Sequence, residues 1–161
     1  MLLRQLGAES LQDKKLASFL AWAALVHQLG LSVSHSQFHR HGSYLLSHSY
    51  LPGFSKKEQL FLAAMIASHR RRFIKIKKNS PLIHLKHDYE ILTICLRLAV
   101  LFHRGHHDTD ISQLEFSKIA KGYLLALPEE QFKENALLDT DLQLEAKYLK
   151  DAGIKLKLQH S

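Results

Sequence analysis

The sequence predicts a mainly α-helical protein that ends in a small α+β subdomain, and three observations carry that prediction. Before about residue 102, apolar residues recur at spacings of three and four, as on one buried face of a helix. Within that region Ile91, Ile94, Cys95, Leu98, Val100, Leu101 and Phe102 leave almost no polar side, which describes a central buried helix over Asp88 to Phe102. Past Arg104 the pattern changes to short alternating runs. Residues 1–108 are therefore assigned to a helical domain and residues 109–161 to a small α+β subdomain.

Taken in order, Ser10-Leu11-Gln12-Asp13 fits a capping box, and Leu16, Leu20, Ala23, Ala24 and His27 form the stripe of a first helix. Gly30 would stop that helix in the left-handed conformation. Ala21, Ala23 and Ala24 would let another helix approach closely, with Trp22 off the stripe, over an edge or a neighbouring element. After a polar connection over Ser32 to Ser36, Phe38, His41, Leu45 and His48 share the face of a second helix from about residue 36 to 49. Leu51-Pro52-Gly53-Phe54 breaks it, and Ser55-Lys56-Lys57-Glu58 is a capping box for a third helix, with Leu60, Ala64, Ile66 and Ala67, that should reach about Arg72. Phe73 to Lys78 alternates apolar and basic residues, the period of an extended segment, with a helix tail as the alternative. Arg97 interrupts the buried helix and needs a partner, either the histidine-rich surface or a carboxylate. Beyond the linker Gly105-His106-His107-Asp108, Ile111 to Phe116 and Tyr123 to Leu127 read as strands, Leu138 to Lys150 as an amphipathic helix stopped by Gly153, and Ile154 to Leu158 as an alternating strand.

A chain of 161 residues, 46% of them hydrophobic, can bury a proper core as one domain with a small appendage. Twenty-two Lys and Arg against fifteen Asp and Glu give a formal charge of +7, a field that attracts polyanions, although a merely solvated basic surface is the competing reading. Cys95 is the single cysteine, which excludes an internal disulfide and any Cys-rich zinc site; its apolar neighbours describe a buried structural thiol. No apolar run approaches the roughly 18 residues a membrane span requires. Met1 to Ser10 lacks the basic-then-apolar order of a secretory signal, so the expected compartment is the cytoplasm.

The histidines are the first chemical candidates. His27-Gln28 stands where an HD phosphohydrolase carries its His-Asp pair, at a helix end just before Gly30, and His35, His39, His41 and His69 follow. Such an array could converge on a divalent metal, but a hydrolytic site also needs acids that bridge the metal and help deprotonate water. Here the neutral Gln28 replaces the aspartate, and no Asp or Glu occurs between Asp13 and Glu58. No bound metal is therefore expected, with a site built from His27, His35, His39, His41 and His69 as the alternative. No P-loop, Rossmann fingerprint, HExxH or zinc-ribbon spacing is present, and adjacent Ser-His pairs such as Ser68-His69 say nothing about nucleophile geometry.

Several phrases together carry a family resemblance: Val26-His27-Gln28-Leu29-Gly30-Leu31, Ser34-His35-Ser36, His39-Arg40-His41-Gly42-Ser43-Tyr44-Leu45-Leu46, Leu51-Pro52-Gly53-Phe54-Ser55, His69-Arg70-Arg71 and Leu96-Arg97-Leu98-Ala99. Over nearly its whole length the chain resembles the C-terminal half of the exopolyphosphatase and guanosine pentaphosphate phosphatase family. The resemblance implies two actin-like ATPase domains, fused or separate, that hold the catalytic acid and phosphate loops, and with them any Mg²⁺; this chain looks like the HD-like helical domain and small terminal domain that follow them. It also implies a homodimer. Gln28, where family members commonly carry glutamate, and a missing arginine near His106 depart from the pattern and weaken any inherited metal chemistry. Phosphate binding stays open, because Arg70, Arg71, Arg72, Lys75, Lys77, Lys78 and Arg97 supply planar forks and point charges that suit a flexible polyphosphate chain. The expected function is thus polyphosphate binding without a complete active site. The alternatives are a metal-dependent HD-type phosphohydrolase and nucleic-acid binding by the run from Arg70 to Lys78, where Phe73 is the one aromatic.

Overall fold

The structure is a computed structural model that describes residues 14–103, 113–130 and 136–160. The elements in order are α1 (Lys14–Val26), a 3-10 turn (Leu29–Ser32), α2 (Phe38–His48), α3 (Lys56–Ser68), a second 3-10 turn (Ile83–Leu85), α4 (Lys86–Phe102), β1 (Glu115–Ile119), β2 (Gly122–Leu127), α5 (Ala136–Asp151) and β3 (Leu156–His160). The protein is mainly helical, with a small α+β part, as the sequence predicts. Among the described residues, one compact unit comprises 14–70 and 74–97, and a second comprises 71–73 and those from Leu98 onward. The Ser10 capping box and the Gly105 to Asp108 linker lie outside the described residues.

In the helical unit, α3 and α4 form the centre. Phe61, Leu62, Ala63, Met65 and Ile66 of α3 and Leu92, Ile94, Cys95 and Leu96 of α4 are all buried, each large apolar side chain contributing about 1.5–3 kcal/mol. The capping box opens α3 as predicted: Ser55 Oγ accepts the Glu58 N–H, and the Glu58 carboxylate accepts the Ser55 N–H at 2.7 Å. Lys15 of α1 pairs with the same carboxylate at 2.8 Å, and this ammonium and then Ser55 hold the Glu58 pKa down at about 2.

Three details of the helical unit differ from the sequence reading, the alanines, Gly30 and the buried face of α2, whereas Trp22 takes up one of the two placements the sequence offers. Ala21 and Ala24 are exposed, so of the three alanines only Ala23 is covered. Trp22 packs edge-on against Phe19 and Phe54, with centroids 5.3 and 4.8 Å away, closing an edge. Gly30 is not left-handed. It sits buried in the 3-10 turn, where a Cβ would stand 1.8 Å from the Phe38 carbonyl oxygen and 2.5 Å from the Gly42 nitrogen, so its role is close approach to α2. Gly42 in turn faces Ile66 of α3, and this contact sets which side of α2 is buried: His39, Gly42 and Leu46, one residue round from the predicted Phe38, His41, Leu45 and His48. Two hydrogen bonds from buried Gln59 Nε2, to the Leu46 and Ser49 carbonyls at 2.6 and 2.7 Å, satisfy the end of α2.

In the second unit the strand order is β1-β2-β3, with an antiparallel β1-β2 hairpin that pairs Phe116 with Leu125 and a parallel β2-β3 pair that matches Leu125 with Leu158. A parallel pair needs a crossover, and α5 supplies it. Leu138, Leu142, Glu145 and Leu149 form its buried stripe. The helix ends in a Schellman arrangement, with the Gly153 N–H on Lys150, the Ile154 N–H on Leu149 and Gly153 at φ 72°. β1 begins at Glu115 rather than Ile111, because its register with β2 runs from Glu115 to Ile119; residues 111 and 112 lie outside the described residues.

Candidate functional site

Several of the sequence candidates, His27, His39, His69 and Arg70 among them, gather where α3 ends. The helix stops at Ser68, short of the predicted Arg72, and the reason is a local polar lock. Ser68 Oγ accepts the Ile74 N–H at 3.0 Å, folding the following chain back on the helix end, and Arg71 takes up the left-handed conformation at φ 57°. Tyr89 Oη lies 2.6 Å from both Ser68 Oγ and the Ile74 carbonyl oxygen. The carbonyl has no proton, so Tyr89 donates to it and receives the Ser68 hydroxyl proton. Burial drives the Tyr89 pKa up to about 12, which keeps this donor protonated. Arg97, 2% exposed, donates from Nη1 to the Ser68 carbonyl, so its partner is the backbone immediately before His69.

Three of the predicted histidines meet here. The His69 ring lies 5.7 Å from that of His27 and 6.3 Å from that of His39, centroid to centroid. His69 is 2% exposed and donates its Nδ1 proton to the Ile66 carbonyl at 2.7 Å. Its Nε2 has no hydrogen-bond partner among the described residues. Burial, reinforced by the like charge that His27, His39 and Arg70 would present, lowers its pKa to about 4 against the opposing pull of the Ile66 carbonyl. His69 is therefore a neutral imidazole with its lone pair facing inward. His27 Nδ1 is held by the Ala24 carbonyl at 2.7 Å. His35 is exposed and His41 half-buried, and neither joins these ring contacts. Among the described residues, no group of three His, Cys, Asp or Glu side chains could hold a metal ion.

The Ser68-His69 pair is no nucleophile and base, because each side chain is turned to a different partner: Ser68 to Ile74 and Tyr89, His69 to Ile66. Cys95 is equally inert, 1% exposed with burial pushing its thiol pKa up to about 12.

The basic residues divide by exposure. Arg71, Arg72, Lys75, Lys77 and Lys78 are exposed on the non-helical segment that follows α3, which excludes the helix-tail alternative for residues 73–78. Arg70 is half-buried, its guanidinium carbon 4.7 Å above the Phe38 ring centre. Phe38 also lies 5.6 Å from the His69 ring, so this aromatic joins the cation to the histidines. Sequence reasoning had placed Phe38 only on a helix face, and it missed Tyr89, whose hydroxyl is the hub of the lock. A tyrosine beside the apolar run that begins at Ile91 is the available signal, since a hydroxyl carried into a core needs a partner.

Residues 1–146 match the family described as Ppx/GppA phosphatase, domain III. The chain belongs to that family. It is similar to the guanosine-5'-triphosphate,3'-diphosphate pyrophosphatase of Vibrio cholerae, 28% identical over 159 residues that make up 98% of this chain and 32% of that protein. The protein of the same name from Photobacterium profundum is 31% identical over 95% of this chain and 31% of its own length, and that from Pseudoalteromonas translucida 29% identical over 85% and 27%. The chain thus spans about a third of the length of these relatives. Among the described residues, no helix of this domain III chain is long and apolar enough to cross a membrane.

Proposed function

We propose that this chain is the polyanion-binding C-terminal part of a cytoplasmic phosphatase, taking polyphosphate-like chains on the run from Arg70 to Lys78, supporting subunit association, and carrying no complete active site of its own. One observation carries this reading: the backbone at the middle of the run is fixed on both sides while its cations face water. Ile74 donates to Ser68 and accepts from Tyr89, and Arg71, Arg72, Lys75, Lys77 and Lys78 are exposed on either side of it. A pinned backbone lowers the ordering cost of binding, and cations exposed close together along one segment attract a polyanion. Arg97 acts from beneath, on the Ser68 carbonyl, as a positioning residue. Arg70 stays on Phe38 and contributes charge at the edge.

The phosphate-releasing chemistry, and the Mg²⁺ it would use, are assigned to the remaining two-thirds that the longer relatives possess. The buried, neutral His69, and the lack among the described residues of any group of three His, Cys, Asp or Glu side chains that could hold a metal ion, support that division.

Arg71→Glu with Lys75→Glu should weaken polyphosphate binding by about tenfold or more, measured by titration of the purified chain. The same chain should release no phosphate from polyphosphate or guanosine pentaphosphate. Unchanged affinity in the folded double variant overturns the assignment of the run. Stoichiometric zinc, manganese or iron, together with turnover lost in His69→Ala, would replace it with the metal-dependent HD-type phosphohydrolase.

A further inference from the structure

The outer face of α2 carries a second cluster that polyphosphate, which has no bases, cannot use. Arg40, Tyr44 and His48 follow one another at four-residue spacing, which lines them up over about 12 Å of helix. All three are exposed, Tyr44 by 64%. The Tyr44 and His48 rings are stacked, 4.2 Å between centroids and 26° between planes, so two flat π-surfaces lie together in water rather than in a core.

The pair is held in place. His48 Nδ1 lies 2.9 Å from the Tyr44 carbonyl oxygen, which can only accept, so the proton sits on Nδ1 and the ring cannot turn freely. The end of the helix is stiffened by Gln59, through its bonds to the Leu46 and Ser49 carbonyls. Lys56 Nζ donates to the Ser47 carbonyl at 2.8 Å, which brings an ammonium to the same end, and Tyr50, 90% exposed, follows directly. No Asp or Glu occurs from residue 14 to residue 57, so nothing acidic on α1 or α2 repels a phosphate approaching these rings.

Exposed aromatic rings interleaved with cations, on a stretch of chain from residue 14 to 57 without carboxylates, match one partner chemistry: unpaired bases that stack, carried on a phosphate backbone that the cations attract. We infer that the outer face of α2 is a stacking platform for single-stranded nucleic acid, with Tyr44 and His48 receiving bases and Arg40 and Lys56 the flanking phosphates. The inference is independent of the polyanion reading, because it rests on different residues. Binding is sequence-tolerant, since every base has a π-face and no hydrogen-bond readout is needed.

The test measures the full chain against two probes, a labelled short oligoadenylate and inorganic polyphosphate, at physiological salt. Tyr44→Leu with His48→Ala should weaken oligoadenylate binding about tenfold or more and leave polyphosphate binding unchanged. Tyr44→Phe, which keeps the ring, should bind as the unaltered chain does. Arg71→Glu with Lys75→Glu should show the converse pattern, so failure of one reading is separable from failure of the other. Oligoadenylate binding that survives Tyr44→Leu with His48→Ala overturns the inference. So does a variant whose only change is weaker self-association by sedimentation, which would make this face a contact with a second copy of the chain.

Discussion

The helical unit and the C-terminal unit bury different kinds of side chain. Among the described residues, the first buries His39, Gln59, Ser68, His69, Thr93 and Arg97, whereas the second buries one charged residue, Glu145, in a stripe of leucines. Burial of a polar group is costly unless it is bonded, so Gln59, Ser68 and Arg97 each fix a particular backbone group in place. An apolar core asks only for volume and shape. The polar core therefore specifies where a chain stops and turns, and the exposed basic run begins at one such point, the end of α3.

Four tests would break or sharpen that contrast. The largest effect is expected for Arg97→Ala, which strips the Ser68 carbonyl of its donor and opens a cavity at the centre of the helical unit; urea denaturation should show a loss of about 4 kcal/mol. A loss under about 1 kcal/mol would mean that the lock does not need it. Gly30→Ala should follow at about 3 kcal/mol, because the new Cβ meets backbone on α2 rather than a side chain that can swing away.

The third expectation concerns pH. The folded His69 pKa, about 4, lies below its ordinary value of 6.5, so the unfolded chain binds a proton in that window and the folded chain does not. The stability this histidine contributes is complete above pH 6.5 and drains away as pH falls towards 4, by about 3 kcal/mol if it acts alone. His69→Gln should flatten the slope between those values. Glu58, lowered to about 2, adds its own loss only below pH 4.5, so the two windows can be told apart. The smallest effect separates the two units directly: Gln59→Met, near in size, should cost about 2 kcal/mol for the carbonyls it abandons, and Leu142→Met about 1 kcal/mol. Equal costs would remove the distinction.

That distinction also explains what could be seen in advance. The stripe of Leu138, Leu142 and Leu149 and the Gly153 stop are written in apolar spacing and turn chemistry, and the structure reproduces both. The α3 capping box is equally local and equally legible. The buried face of α2 was misplaced by one residue because its closest contact is Gly42, which hydropathy does not count as apolar but which alone admits Gly30 and Ile66 so near. The end of α3 was placed too late because Ser68, Ile74 and Tyr89 meet from three separate stretches of chain. Of the site, the histidine and basic residues were legible by type; that His27, His39 and His69 meet while His35 and His41 stay apart was not, since helix packing decides it.

The most direct measurement is the salt dependence of polyphosphate binding. Each phosphate contact releases condensed counterions, so the logarithm of affinity should fall linearly with the logarithm of salt concentration, with a slope of about −4 for the five exposed cations. Arg71→Glu with Lys75→Glu should make that slope shallower by about two while leaving stability within roughly 1 kcal/mol. A slope near zero, or one unchanged by the double substitution, would contradict the assignment of polyanion binding to the run that follows α3.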